Sequence, residues 1–262
     1  MVVGVFQFAP KPKAIEENLT RIIRRLTDIK ADLVVLPELC LTGYMFSSRE
    51  EVCKYAQKVP DGPVLSVLLD FCSRRNMNLV LGIPELAENR VFNSAILLTA
   101  TGNIHLYRKV HLFGDEKELF DPGDLPFPVF QIDGVKIGML VCFDYFFPEG
   151  ARSLALRGAQ IVCHPANLIL KYAQTMTITR SLENRVFWLL ANRIGTEELN
   201  GKQLSFTGES QIVAPDGSLL VRAQPDVEEL LLVDINPLQA LDKNVTPKND
   251  IIANRRPELY YR

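Results

Sequence analysis

A cysteine between a predicted strand and a predicted helix is the first residue of this sequence that could do chemistry. Cys142 ends the apolar run in GMLVCFDYFFPEGARSLALRG, and Pro148 and Glu149 begin an amphipathic segment soon after it. A thiol in this position can serve as a nucleophile, but with a usual pKa of about 8.5 it needs a base to take its proton. Because no histidine is obviously paired with Cys142, the base has to lie elsewhere in the chain.

Two charged residues follow predicted strands in the same way. Glu38 and Lys109 each follow the end of a predicted strand within two residues, as Cys142 does. The three strands are residues 32–36, 103–108 and 135–141. The carboxylate can accept the thiol proton, and the ammonium can stabilise the oxyanion that forms when sulfur attacks a carbon–nitrogen centre. The backbone N–H of Phe143 is a second candidate donor to that oxyanion.

Each of the three side chains also has an ordinary structural interpretation. A lone cysteine at the end of a buried strand is usually a small core residue. Glu38 fits a solvated loop charge, and Lys109 lies in YRKVHLF, where alternating charges could decorate an exposed strand. Residue type and position alone therefore suggest a site without establishing one.

Hydrophobic periodicity predicts an α/β chain that would position these residues. Helices are predicted over residues 15–29, 63–75, 148–157 and 172–185. Further strands are predicted over residues 2–8, 78–83, 93–99, 159–167 and 186–193, with antiparallel edge strands in the C-terminal third.

An internal similarity indicates where the site would lie. KADLVVLPEL and GAQIVCHPANL share a helix end, a small residue, a buried strand and a proline, with Pro37 and Pro165 in the same place. Two similar α/β halves would put these prolines and their neighbours at the carboxyl ends of strands. Crevices at such ends are where α/β folds bind ligands.

The composition narrows the class of protein. Among 262 residues, 29 basic against 31 acidic side chains give a net charge of −2, which offers no basic field for nucleic acid and no polybasic patch for a membrane. No apolar run approaches the roughly 18 residues needed to span a bilayer, and the N-terminus lacks the positive start of a signal peptide. Five cysteines without a repeating spacing favour reduced thiols, and we expect a cytoplasmic protein.

Three stretches of the sequence resemble a known family. VVLPELCLTGY, YRKVHLFGDEKELFDPGD and GMLVCFDYFFPEGARSLALRGAQIVCHPAN resemble the three signature regions of the nitrilase superfamily, the carbon–nitrogen hydrolases, in the same order and spacing. The resemblance implies a four-layer α-β-β-α sandwich, which we expect to form a single domain over residues 1–262. It also implies a Glu-Lys-Cys catalytic triad, which maps onto Glu38, Lys109 and Cys142, and no metal or organic cofactor.

The resemblance adds further site residues. A second glutamate of the family lies just ahead of the FDPGD segment, and this spacing selects Glu116 rather than Glu118 as the residue that helps to position the lysine and the substrate. Asn167 matches a position that lines the family's pocket. The expected substrate-binding residues are Phe143, Tyr145, Phe146 and Asn167.

The implied reaction is hydrolysis of a small amide, or an N-carbamoyl amine, through a cysteine thioester. A nitrilase is the alternative: nitrilases of the superfamily usually carry Trp-Glu after the cysteine, where this chain has Phe143-Asp144. However, some archaeal and bacterial relatives with a similar Cys-Phe-Asp context are regarded as nitrilases. A non-catalytic interaction protein or a thiol-redox protein on the same fold is the alternative from another class, and the intact triad argues against it.

Other chemistries find less support. A Cys-His hydrolase would need His105, His111 or His164, and none of them lies in a papain-like or caspase-like motif. No paired cysteine or histidine spacing indicates a zinc site, and no glycine-rich phosphate loop is present.

The residues after the cysteine also bear on the charge of the substrate. Relatives that act on N-carbamoyl-D-amino acids or on ω-amides of dicarboxylates carry arginine there, which binds the substrate carboxylate. In this chain residues 144–147 contain no cation, and the next one is Arg152 on the following helix. We therefore expect a neutral or amine-bearing acyl group, with Lys171 as the one nearby cation that could reverse this preference.

The resemblance also implies self-association into at least a homodimer. We expect the segment SLENRVFWLL, including Trp188, and the tail NRRPELYYR to contribute to the contact. The C-terminal tail from about residue 236 would lie against the partner subunit.

Overall fold

The structure is a computed structural model that describes residues 1–260. Tyr261 and Arg262, the last residues of the predicted contact tail, lie outside the described residues. The α-helices are α1 (Ile15–Thr27), α2 (Arg49–Tyr55), α3 (Pro63–Arg75), α4 (Glu116–Leu119), α5 (Pro148–Leu156) and α6 (Ala173–Asn184). Three 3-10 helices cover Cys142–Phe146, Pro237–Leu241 and Pro257–Leu259. Within residues 1–260, no helix combines the length and apolarity that a membrane crossing requires.

Two six-stranded sheets form the centre of the molecule. The strands are β1 (Val2–Gln7), β2 (Leu33–Val35), β3 (Asn78–Ala87), β4 (Arg90–Leu98), β5 (Ile104–Arg108), β6 (Val129–Ile132), β7 (Val135–Met139), β8 (Ile161–Ala166), β9 (Phe187–Asn192), β10 (Thr196–Leu199), β11 (Lys202–Ser205), β12 (Gln211–Val213), β13 (Leu219–Arg222), β14 (Glu229–Asp234), β15 (Asn244–Thr246) and β16 (Asn249–Asp250). The first sheet has the order β14-β1-β2-β3-β4-β5 and the second the order β13-β12-β9-β8-β7-β6.

Both sheets have a parallel centre and antiparallel edges. In the first sheet β1, β2 and β3 run parallel, while β14 and β5 lie at the edges in antiparallel pairs. In the second sheet β7, β8 and β9 run parallel, and β6 and β13 are the antiparallel edges. The predicted similarity of the two halves is thus visible in the topology, with β2 and β8 in equivalent central places.

The alternation of side chains along the central strands explains the layers. In β2, Leu33 and Val35 point into the core that the two sheets share, whereas Val34 and the following Leu36 pack with the helices on the other face. A strand that is buried on both faces has a continuous apolar sequence. This explains the apolar residues 33–36 in the segment DLVVL.

The helices cover the two outer faces. α1 and α3 bury leucine and isoleucine side chains such as Leu19, Ile22 and Leu68 against the first sheet. α5 and α6 pack on the second sheet through Leu154 and Ala173, among others. The predicted four-layer α-β-β-α sandwich is confirmed.

The structure departs from the sequence-based prediction in several local features. The hairpin of β10 and β11 and the short helices α2 and α4 were not predicted. Trp188, expected at a subunit contact, is fully buried inside the chain, so this expectation is wrong. Its place on the central strand β9, which is buried along its whole length, accounts for the apolar character of that segment.

Candidate active site

The turn after β7 holds Cys142 in an unusual backbone conformation. Cys142 is the first residue of the 3-10 helix, and its φ of +44° lies in the left-handed region that non-glycine residues rarely adopt. Asp144 supports the turn, because its carboxylate accepts hydrogen bonds from the backbone N–H of Val141 at 3.0 Å and from the hydroxyl of Tyr107 at 2.7 Å. Strain of this kind is characteristic of functional positions.

Lys109 and Glu38 form an ion pair in the interior. Both side chains are fully buried, and the distance from Lys109 Nζ to Glu38 Oε1 is 2.7 Å. Glu38 follows β2 and Lys109 follows β5, so the first sheet supplies both charges and the second sheet supplies Cys142. The structure thus brings the strand ends that sequence analysis singled out to one place.

Glu116 is the third charge of this cluster. Its Oε1 lies 2.8 Å from Lys109 Nζ and accepts a hydrogen bond of 2.8 Å from the hydroxyl of Tyr44. Its Oε2 accepts from the backbone N–H of Phe113 at 3.1 Å. Glu118 is exposed, so Glu116, chosen from spacing, is the glutamate that reaches the lysine.

One oxygen of Glu38 is left free. Oε1 accepts from Lys109 and from the amide of Asn93 at 2.7 Å, whereas Oε2 is buried and has no hydrogen-bond partner among the described residues. An unpaired buried carboxylate oxygen is costly, which points to a proton or a ligand that it would receive. Oε2 is therefore available to take a proton from a neighbouring thiol.

The charges of the cluster act on one another strongly. Burial disfavours the ammonium of Lys109, but the carboxylates of Glu116 and Glu38 outweigh it and raise the lysine pKa well above its usual value. Burial also raises the pKa of the Cys142 thiol; the Glu38 carboxylate adds to the rise and the Lys109 ammonium opposes it. Lys109 is thus a permanent hydrogen-bond donor, and Cys142 is a thiol that requires a base.

The backbone around Glu38 leaves no room for a side chain on the neighbouring strand. A Cβ on Gly82 of β3 would lie 2.4 Å from the Cα of Glu38. Only glycine permits this approach of β3 to the segment that carries the glutamate. This requirement explains why a glycine stands within the apolar run NLVLGI.

A small cavity lies at Cys142. Its volume of about 20 Å³ suits a single water molecule. The lining residues are Phe113, Cys142, Phe143, Tyr145, Asn167 and residues 168–170. The hydroxyl of Tyr145 and both polar atoms of the Asn167 side chain are buried there without a hydrogen-bond partner in the described part of the chain.

Three of the four predicted substrate-binding residues therefore line this cavity. Phe143, Tyr145 and Asn167 do so, but Phe146 does not. The ring of Phe146 is 41% exposed and lies against the ring of Phe143, with centroids 5.5 Å apart. Phe146 is thus a neighbour of the cavity wall.

A larger open pocket, the bowl, lies outside this cavity. It has a volume of about 410 Å³ and shares Phe113 and Ile169 with the small cavity. Its walls come from residues 44–47, the loop around α4, and the hairpin of β10 and β11. Lys202 is the one cation in this lining within residues 1–260, and it pairs with Asp115 at 2.9 Å.

A buried ion pair fixes one wall of the bowl. Arg193 and Glu197 are both almost fully buried and form a salt bridge. The Glu197 carboxylate also accepts from the backbone N–H groups of Tyr44 at 3.0 Å and Met45 at 2.8 Å. The hairpin is thereby connected to Tyr44, whose hydroxyl reaches Glu116.

Two of the three histidines contact the nucleophile turn, and none of the three pairs with the thiol in the described part of the chain. His164 Nε2 lies 2.9 Å from the carbonyl oxygen of Cys142, and His111 is held by Asp144 through its backbone N–H and its ring. His105 stacks on Phe130. In the described part of the chain, no group of three or more histidine, cysteine, aspartate or glutamate side chains could hold a metal ion.

Sequence reasoning missed several residues of the site. Asn93, Tyr44 and the pair Arg193–Glu197 act on the catalytic cluster only through contacts between distant segments, so neither local pattern nor spacing identifies them. The one available signal was the pair of polar residues Asn93 and Ser94 inside the largely apolar strand RVFNSAILL, because polar groups that become buried need partners.

Comparisons with known proteins agree with this geometry. The family model for carbon-nitrogen hydrolases matches residues 2–240. A protein of Pyrococcus abyssi named nitrilase is 41% identical, with 99% of each chain covered. The N-carbamoylputrescine amidase of Solanum lycopersicum is 29% identical over 92% of this chain and 86% of its own length.

The fold matches a solved amidase. The amidase from Nesterenkonia sp. AN1 superimposes with a TM-score of 0.81 at 29% identity, covering 99% of this chain and 98% of that chain. In that structure a glutamate-to-glutamine variant carries acrylamide added to the active-site cysteine.

Proposed function

The chain belongs to the carbon–nitrogen hydrolase family, and from that premise we propose that it cleaves small amides through a thioester on Cys142. Cys142 is the nucleophile, Glu38 the general base and acid, and Lys109 the oxyanion donor. The observation that carries this assignment is the different state of the two Glu38 oxygens: Oε1 is held by Lys109 and Asn93, whereas Oε2 has no hydrogen-bond partner within residues 1–260.

The first half-reaction forms the thioester. Glu38 Oε2 takes the thiol proton, and the Cys142 sulfur attacks the carbonyl carbon as the carbonyl electron pair moves to oxygen. Lys109 Nζ and the backbone N–H of Phe143 stabilise this oxyanion. When the intermediate collapses, Glu38 returns the proton to the departing nitrogen, which leaves as ammonia or an amine.

The second half-reaction releases the acid. Glu38 takes a proton from a water molecule, and the resulting hydroxide adds to the thioester carbon. Collapse breaks the carbon–sulfur bond, and Glu38 returns the proton to sulfur. Glu116 keeps Lys109 in place throughout, because its carboxylate pairs with the lysine ammonium. The hydroxyl of Tyr44 in turn holds the Glu116 carboxylate.

The walls of the bowl support a substrate without a carboxylate. Lys202 is already paired with Asp115, and Lys171 lines neither the bowl nor the small cavity. Glu118 adds an acidic group to the lining. A substrate carboxylate would find no unpaired cation there, whereas an amine would meet a carboxylate; the tomato relative is named for a substrate of that class.

A nitrile is the alternative substrate. The Pyrococcus abyssi relative, at 41% identity, is named a nitrilase, and this chain has Cys-Phe-Asp at residues 142–144. Addition of the thiolate to a nitrile carbon would use the same three residues.

The substrate class can be tested by ammonia release from matched compounds. We expect a small neutral amide to have a kcat/KM at least about tenfold above that of its ω-carboxylate analogue, since a buried carboxylate without a partner costs several kcal/mol. The kcat/KM for the nitrile with the same carbon skeleton is measured in parallel, so that amide and nitrile can be compared as substrates.

Two results would contradict this assignment. A preference for the carboxylate that disappears in Lys171→Ala would mean that the pocket binds an anion. Failure to release ammonia from any compound, together with reversible oxidation of Cys142, would favour the thiol-redox protein instead.

We also propose that the whole chain is one hydrolase domain that forms at least a homodimer through its C-terminal segment. Among residues 236–260, five large apolar side chains are more than half exposed: Leu238, Leu241, Val245, Leu259 and Tyr260. Such a concentration on one segment is typical of a surface that another chain covers. The five cysteines are all free, which supports a location in the reducing cytoplasm.

Light scattering at micromolar concentration tests the association. We expect twice the mass of one chain for the wild type and a shift toward the monomer for the double substitution Leu238→Glu and Leu241→Glu, because a charge on each side chain would have to be desolvated. A wild-type protein with the mass of a single chain would contradict the proposal. Val67→Glu, on the exposed side of α3, is the control that should leave the mass unchanged.

A further inference from the structure

His164 is a fully buried polar residue that the proposed chemistry does not use. It lies on β8, next to the strand that leads to Cys142, and its Nε2 is 2.9 Å from the carbonyl oxygen of Cys142. Its other ring nitrogen, Nδ1, is 3.2 Å from Nε1 of Trp188 on β9. Trp188 and His164 therefore form a hydrogen-bonded chain across the second sheet that ends on the backbone of the nucleophile.

The partners fix the tautomer of the imidazole. The indole N–H of Trp188 can only donate, so Nδ1 of His164 must be the acceptor and carries no proton. Nε2 then carries the ring proton and donates it to the Cys142 carbonyl. Burial lowers the pKa of His164 to about 4, so the ring is neutral when the enzyme works near neutral pH.

This contact determines the orientation of the peptide between Cys142 and Phe143. A trans peptide is planar, so its C=O and N–H point in opposite directions. When His164 holds the carbonyl on the side of β8, the N–H of Phe143 is directed to the opposite side. The same contact opposes relaxation of Cys142 from its left-handed conformation, in which φ is +44°.

We infer that His164 is a positioning residue for the oxyanion site, which it controls through the Cys142–Phe143 peptide. This inference rests on the proposed function, since it assumes that the N–H of Phe143 stabilises the oxyanion. Asp144 holds the start of the turn through the N–H of Val141, and His164 holds the carbonyl of Cys142. The nucleophile turn is thus fixed from both sides.

Two polar variants separate positioning from packing. His164→Asn keeps an acceptor near Nδ1 for Trp188 but is too short to reach the Cys142 carbonyl, whereas His164→Gln can place a donor near Nε2. We expect His164→Asn to lower kcat about 100-fold with little change in KM, as for loss of one oxyanion donor. His164→Gln should retain kcat within about tenfold of the wild type.

The rate at which iodoacetamide alkylates Cys142 is the second measurement, because a general structural defect would change this rate as well as kcat. Displacement of iodide by the thiolate forms no oxyanion, so its rate in His164→Asn should stay within about threefold of the wild type while kcat falls about 100-fold. His105→Leu, which removes an imidazole remote from the turn, should leave both rates unchanged.

The inference is overturned by an unchanged kcat in His164→Asn, by equal losses of kcat and alkylation rate, or by equal damage in the two variants. It is distinguishable from a failure of the proposed function. In that case the wild type itself would release no ammonia, or Cys142→Ala would remain active.

Discussion

Replacing Cys142 with alanine should abolish amide hydrolysis and leave the fold almost intact. The substitution removes the only nucleophile of the proposed mechanism, and removal of one member of a catalytic unit costs about as much as removal of the whole unit, on the order of 10⁴-fold or more in kcat. Alanine meets the same backbone requirement as cysteine at a φ of +44°. We therefore expect the free energy of unfolding to change by only about 1 kcal/mol.

The measurement is ammonia release at saturating substrate, with the thermal midpoint recorded for the same preparation. Cys72→Ala is the matched control, because Cys72 is fully buried in α3, away from the cluster. It should lose stability but keep activity. A Cys142→Ala protein that works at close to the wild-type rate would refute the mechanism.

Replacing Glu38 with glutamine should separate turnover from thiol reactivity. Loss of the general base is expected to lower kcat by about 10³-fold, within the usual range for this form of catalysis. Burial is the main cause of the raised pKa of Cys142, and the Glu38 carboxylate is the next. Removing that charge leaves Lys109 to stabilise the thiolate, so the thiol pKa falls and alkylation by iodoacetamide at a given pH becomes faster.

Replacing Lys109 with methionine should lower turnover as well, but with the opposite effect on the thiol. Without the ammonium, burial and the carboxylates of Glu38 and Glu116 raise the pKa of Cys142 further above its usual value, and alkylation slows. This variant also leaves buried carboxylates without a cation, which costs about 3–5 kcal/mol, so its thermal midpoint must be measured.

Exposed charged residues provide matched controls for both variants. Glu88→Gln, in the turn between β3 and β4, and Lys117→Met, next to Glu116 in sequence, change exposed charges outside the buried cluster. Neither should change kcat or the alkylation profile appreciably. If the pH profile for alkylation moved in the same direction in Glu38→Gln and Lys109→Met, the electrostatic account of the site would be wrong.

Much of the architecture could be predicted because it depends on local patterns. Central strands such as β2 are continuous apolar runs, and the helices α1 and α3 show a 3.6-residue period, so the layers follow from the sequence. The strand ends then indicate Glu38, Lys109 and Cys142. What these patterns cannot give is how segments distant in the chain meet, and Tyr44, Asn93 and the pair Arg193–Glu197 depend on such meetings.

Two aromatic residues illustrate the same limit. Tryptophan is a residue type that is enriched at interfaces. Trp188 is nevertheless buried, because β9 lies between β8 and β12 in the sheet. Phe146 follows the cysteine closely in sequence, but its ring is 41% exposed and does not line the cavity that Phe143 and Tyr145 line. Both outcomes depend on a turn geometry and a strand order that residue type does not encode.

The covalent intermediate on Cys142 tests the central claim most directly. The protein is quenched in acid during turnover of an amide for which hydrolysis of the thioester is the slow step. Its intact mass and peptide map are then measured. We expect a fraction of the wild-type protein to gain the mass of the acyl group on the peptide that contains Cys142, and Glu38→Gln to gain it only at a much lower rate. Steady turnover by the wild type without any acylated Cys142, with the same activity in Cys142→Ala, would contradict the account.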